Sequence, residues 1–202
     1  MTDKLPAHAT ELQLDSPVWE RFFRPAPLVL IGTRDEDGIT DLAPKHMAVP
    51  LGWDNYFGFV CTPRHQTWRN IEATGRFSVS YPQPDQVLFA SLAASPRCDG
   101  DDKPVLTILD TFESPASAMP MLSKATVWLD CELDRIVDGF GENGLIAGRI
   151  TAAYARTDAM RISDLEDETV LSKAPLLTYI DPGRFTVVAS AQSFPFPRDM
   201  KK

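Results

Sequence analysis

Histidine and cysteine are scarce, with three of each in 202 residues, and their spacing excludes the common metal centres. Cys61, Cys98 and Cys131 lie far apart, so the chain offers neither a Cys-x-x-Cys ligand pair nor a disulfide framework. His8, His46 and His65 form no His-x-x-x-His or comparable ligand spacing, and no metal site is expected. Long apolar runs are missing too. The longest, such as LVLIG and VLFASLAA, fall well short of the ~18 residues of a membrane span. The opening MTDKLPAHATELQLD has mixed charge and no apolar stretch of an export signal, so a soluble cytoplasmic protein is expected. Positive charge is in deficit, with 20 Lys and Arg against 28 Asp and Glu and a net charge of −8. Such a chain has no general basic field for a nucleic-acid backbone or an anionic membrane, and neither is expected as a partner. Gly-x-Ser-x-Gly and P-loop motifs do not occur, and GFGENG, although it has Gly-x-Gly-x-x-Gly spacing, reads as the turn of a hairpin and not as a strand-to-helix turn, so neither a hydrolase nor a dinucleotide-fold signature is present.

What is present fits a single folded domain. Apolar residues make up 44% and charged residues 24%, and the length is that of about one domain. Proline outnumbers glycine, 17 to 11, which favours many short elements separated by turns over a helical bundle. Residues 1–24 read as an arm in which Val18, Trp19, Phe22 and Phe23 predict a short amphipathic helix lying on the body and stopped by Pro25. Strands are predicted over 27–33, 39–43, 56–61 and 76–81, with Asp37-Gly38 as a hairpin turn. Pro44 and Pro50 mark a place where the chain leaves the sheet as an edge or a loop. A helix is predicted after Pro63 with Gly75 beyond its C-terminus, and a second over 86–94. The segment 95–124 reads as irregular. Alternation is cleanest over 125–137, which pairs through GFGENG with 145–156 as a long hairpin. A helical turn over 163–170 and a hairpin, LLTYI-DPG-FTVVAS, complete a mainly β fold of six to eight strands and three short helices, a barrel or a sandwich.

Chemistry concentrates where the strand 56–61 gives way to the following helix: Cys61, Thr62, Pro63, Arg64, His65, Gln66 and Thr67. A helix start presents free N–H groups and a partial positive charge. With an arginine, a histidine and two hydroxyls beside it, that is a phosphate-sized anion pocket. The alternative is ordinary helix capping with a solvated arginine. A second cluster, Ala43, Pro44, Lys45, His46 and Met47, follows the first hairpin, and its plain reading is a surface turn. Cys61 and Cys131 lie in apolar strands and read as buried small hydrophobes, whereas Cys98 sits in the polar SPRCDGDDK loop as a partly exposed thiol.

The stretch RPAPLVLIGTRDEDGITDLAPKHMAVP…YFGFVCTPRHQTWRNIEATGRFSVSYP, with the later ESP, WLDCELDRIV and PLLTYIDPGRFTVV segments, resembles the flavin-reductase-like domain of the FMN-binding split-barrel superfamily. The resemblance covers about 25–190 and leaves 191–202 as a tail. Asp41, His46, His65 and Gln66 stand where that family shows Asn, Ser, Lys and Asp. The resemblance implies a split β-barrel of Greek-key type with peripheral helices that binds FMN non-covalently and dimerises with a second copy. It implies that Ala43, Pro44, Lys45, His46 and Met47 lie along the isoalloxazine, with His46 as the candidate catalytic donor. Thr62, Arg64, His65 and Thr67 would hold the ribityl phosphate, with Cys61 also among the cofactor-binding residues. The implied activity is NAD(P)H-linked flavin reduction, with NADH or NADPH as donor. The alternatives are a flavin-binding electron carrier without fast NAD(P)H turnover and a split-barrel binding protein that has lost FMN.

Overall fold

Two residues, His46 and Met47, connect the opposite edges of the main sheet, and this sets the shape of the molecule. The computed structural model describes residues 5–96, 103–161, 166–195 and 197. In chain order its strands are β1 Arg24–Pro27, β2 Val29–Arg34, β3 Thr40–Lys45, β4 Ala48–Pro50, β5 Tyr56–Cys61 and β6 Arg76–Pro82. Then come β7 Thr111–Glu113, β8 Pro120–Leu122, β9 Ala125–Phe140, β10 Asn143–Ala155, β11 Leu176–Asp181 and β12 Arg184–Val188. Three helices accompany them: α1 Gln66–Thr74, α2 Val87–Leu92 and α3 Asp167–Lys173. The seven-stranded sheet has the order β3-β2-β6-β9-β10-β5-β4. Laid flat, its edge strands would be ~29 Å apart, yet three Cα steps from Lys45 to Ala48 reach only ~10 Å. The sheet therefore curls until β3 and β4 meet, and the Val60 N–H donates to Met47 O at 2.8 Å beside that seam. This is a split barrel, mainly β with few helices.

The barrel closes over Phe57, Phe59, Phe77, Val79 and Ile146, all essentially sealed from water. Helix α1 plugs one side because Trp68 and Ile71 face this core while Asn70 donates to Thr33 Oγ1 at 3.0 Å. Glycine at 144 lets the helix sit there, since a Cβ would lie 2.6 Å from the Trp68 ring. Gly75, at φ 68°, ends the helix as the sequence predicts. The β7–β8 hairpin is pinned through Asp130, a fully buried carboxylate on β9 that accepts from Ser114 Oγ at 2.5 Å and from Ser117 Oγ. A separate sheet, β1-β11-β12, carries the closing hairpin.

Several expectations need correction. The helix predicted over 18–23 is a four-residue 3-10 turn, Val18–Arg21, with no buried residue. Proline on both sides leaves too little chain to nucleate an α-helix, and Trp19 instead meets Phe22 edge-on and the Arg24 guanidinium. The strand 39–43 runs on through Pro44 to Lys45, which an edge strand tolerates because the missing N–H points away from the ladder. Strand β4 was not expected, and the irregular segment contains β7 and β8. The strands number twelve among the described residues rather than six to eight. The last helix begins at Asp167, with 162–165 outside the described residues, as is Cys98. Among the described residues no helix is long and apolar enough to cross a membrane.

Candidate functional site

The end of β5 delivers the chain to α1 beside β3, and a cavity of about 400 Å³ opens between them. It is lined by Ala43, Pro44 and Lys45 from β3 and by Arg64, His65, Gln66, Thr67 and Arg69 around the start of α1. Residues 93–96, Asp41 and Lys103 complete the wall. The N-cap residue of α1 is His65, in extended conformation, and no side chain caps the helix. The Trp68 and Arg69 N–H groups both donate to the His65 carbonyl, which leaves those of Gln66 and Thr67 without a capping side chain.

Four cations, Lys45, Arg64, Arg69 and Lys103, line this cavity against one carboxylate, Asp41. Arg64 is exposed and pairs with Glu142 from the β9–β10 turn. Arg69 donates to Gln66 Oε1 at 2.7 Å, and Gln66 Nε2 to Asn70 Oδ1 at 2.6 Å, so one face of α1 is cross-linked. Lys45 Nζ lies 3.4 Å from His65 Nδ1. An ammonium can only donate, so this contact is a hydrogen bond when Nδ1 accepts, which favours the neutral imidazole. The electrostatics agree: partial burial, then Lys45, Arg64 and Arg69, hold the His65 pKa below its ordinary value, against a smaller opposing pull from Asp41.

The predicted residues divide into four groups. Ala43, Pro44, Lys45, Arg64, His65 and Thr67 come together around the cavity. Cys61 and Thr62 are buried and do not line it, although Cys61 Sγ lies 3.8 Å from His65 Nδ1. His46 turns the other way, as alternation past Lys45 requires, and stacks on Tyr179 with ring centroids 4.6 Å apart. There it lines a second cavity, about 440 Å³, with Leu28, Tyr179 and Phe185, and the two cavities share Pro44 and Ala94. Met47 is exposed and lines neither. Sequence reading missed Arg69 and Lys103. Arg69 was legible, since it sits one helical turn after His65, whereas Lys103 carried no local signal.

His46 is half-buried, and burial, helped by Arg24 and Lys45 and opposed by Asp181, lowers its pKa. The unfolded chain then binds the proton more readily, so stability is full above the unfolded pKa of about 6.5 and falls as pH drops through the lowered folded value. The thermal midpoint should decline on acidification from about pH 7.5 to 5.5, and His46→Gln should flatten that decline. Parallel curves for wild type and variant would clear His46 of the effect.

A family model described as "Flavin reductase like domain" matches residues 22–182. Among solved structures, a protein with a split barrel domain from Shewanella frigidimarina NCIMB 400 is 16% identical over 86% of this chain and 87% of its own, with a TM-score of 0.75. The flavoredoxin of Desulfovibrio vulgaris (Miyazaki F) is 18% identical over 94% and 99%, TM-score 0.75. An FMN-binding protein from Thermus thermophilus, with bound p-hydroxybenzaldehyde, is 21% identical over 93% and 99%, TM-score 0.74. These structures share the fold.

Proposed function

The chain belongs to the flavin reductase-like domain family, and from that premise we propose that it binds FMN non-covalently and works as an NAD(P)H-linked flavin reductase. One observation carries the reading. In a chain of net charge −8, four cations gather against one carboxylate at the uncapped start of a helix, which is the donor set a phosphate ester requires. The cavity has room for the phosphate and polyol, and the adjoining one is walled by rings and aliphatic side chains suited to a flat ring system.

In this proposal Arg64, Lys45 and the first-turn N–H groups of α1 bind the phosphate, with His65 and Thr67 beside it. Ala43 and Pro44 bound the ring system, and His46 is the donor reaching it from the adjoining cavity, where Tyr179 orients the imidazole. When bound, the flavin supplies hydride acceptance and electron storage, and the protein supplies position and exclusion of water. The flavin-binding unit spans 25–190, with 1–24 as arm and 191–202 as tail. Phe185 and Val187 project from one face of β12 and stay exposed, which supports a homodimer built on the small sheet. Buried, unpaired Cys61 and Cys131 suit the cytoplasm.

Anaerobic stopped-flow mixing of the FMN-loaded protein with NADH or NADPH tests the activity. Bleaching of the flavin band within the turnover range of ordinary enzymes, about 1 per second or faster, is the expected result. A flavin that dithionite bleaches while neither nicotinamide does on that timescale would make the protein an electron carrier instead.

A further inference from the structure

Of the four cations around the cavity, three are engaged elsewhere. Arg64 pairs with the Glu142 carboxylate, Lys103 with that of Asp41, and Lys45 Nζ lies 3.4 Å from His65 Nδ1. Arg69 differs: it is exposed, and its guanidinium donates to a neutral amide, Gln66 Oε1, at 2.7 Å, with no carboxylate paired to it among the described residues. A guanidinium has five N–H donors and does not give up its proton, so one bond to an amide oxygen leaves its charge and its other donors available. The charge acts on the cavity, because it helps to hold the His65 pKa below its ordinary value.

The Arg69 side chain is also held from inside the barrel. Gln66 Nε2 donates to Asn70 Oδ1 at 2.6 Å, and Asn70 Nδ2 donates to Thr33 Oγ1 at 3.0 Å. Thr33 and Asn70 are sealed from water and Gln66 is half-buried, so the relay runs from β2 outward to the cavity. The reverse polarity would turn the Gln66 NH2 toward the guanidinium, donor against donor, and the observed polarity is the one that suits a cation at position 69. Such anchorage costs a long side chain the rotamer freedom that a solvated arginine keeps. We propose that Arg69 is a specificity-determining residue of the anion site: held by Thr33, Asn70 and Gln66, it donates to the phosphate of the ligand and raises the preference for a phosphorylated flavin over its unphosphorylated counterpart. The inference rests on the flavin reading and deepens it, because FMN and riboflavin differ only in the phosphate. Gln66 and Asn70 are positioning residues that act through Arg69. Lys45 and Arg64 bring the phosphate to the place that Arg69 reaches, so the three contributions overlap and do not add.

The test is the ratio of FMN to riboflavin affinity in Arg69→Met, Gln66→Met and the double variant, by fluorescence titration of each apo-protein. Arg69→Met should lower the ratio about tenfold, the lower end for a hydrogen bond to a charged group because the site is exposed, with riboflavin affinity unchanged. Gln66→Met should lower it by a smaller factor, and in the Arg69→Met background it should not lower it further. Arg69 is exposed, so Arg69→Met should keep the wild-type thermal midpoint, and it carries the test by itself if Gln66→Met folds poorly. A ratio unchanged by Arg69→Met would overturn the inference while leaving FMN binding in place. An equal fall on Gln66→Met in both backgrounds would overturn the positioning role of Gln66. Wild type that binds neither flavin, or both equally, would overturn the flavin reading itself, and this inference with it.

Discussion

A chain carrying Lys45→Ala and Arg64→Ala together should bind FMN scarcely more tightly than riboflavin. Hydrogen bonds to charged groups contribute ~1.5–3 kcal/mol each. Arg64 is largely exposed and shared with Glu142, so solvent screening trims its part. A combined loss of about 3 kcal/mol for FMN, on the order of a hundredfold in its dissociation constant, is expected, with riboflavin binding nearly unchanged. The fold should survive, because Arg64 is exposed and Lys45 makes no buried ion pair among the described contacts. Calorimetric titration of both ligands against the double variant checks this. An equal loss for FMN and riboflavin would mean that the substitutions damage the cavity generally, and unchanged FMN affinity would return Arg64 to a solvated residue beside a helix start.

Gly32→Ala should be the most damaging single substitution for the barrel. A Cβ at Gly32 would lie 2.1 Å from the Pro120 carbonyl oxygen and 2.4 Å from Ser78 Oγ. The first of these is backbone and cannot swing aside. Forcing apart β2, β6 and β8 should cost ~3 kcal/mol or more, a fall in thermal midpoint of roughly 6–12 °C for a chain of this size. Gly32 also faces Leu42 in the β2–β3 register, so the wall of the cavity moves with it. The companion variant Gly38→Ala separates sterics from backbone strain. Gly38 has open space around it but sits at φ 83°, and its loss should be limited to ~1–2 kcal/mol. Equal midpoints for the two variants would show that the β2–β8 contact is not tight.

The long β9–β10 hairpin was legible because alternation over 125–137 has period two for longer than chance allows, and the GFGENG turn names its own bend. Helix α1 was legible for the same kind of reason: Gly75 stops it and Trp68 and Ile71 share a face. Strand β4 was not, since three residues ending in proline carry no period, and only the ladder to β5 makes them a strand. The arm misled because its apolar spacing is of helical type, while Pro17 and Pro25 leave too few residues between them for an α-helix to nucleate. At the site, Arg64, His65 and Thr67 line one cavity at the helix start where the sequence groups them. The sequence could not tell that His46 and Lys45 diverge, which follows from the extended path of β3 through Pro44. The Asp41–Lys103 pair joins residues 62 apart in sequence and was beyond any local pattern.

The proposed function requires the cavity at the start of α1 to take a phosphate ester of a flavin. Isothermal titration of the wild-type apo-protein with FMN and, separately, with riboflavin tests it most directly. Saturable one-site binding of FMN at least about a hundredfold tighter than that of riboflavin is expected, the share of affinity owed to the phosphate contacts of Lys45 and Arg64. Equal affinity for the two, or no binding of FMN, would contradict it.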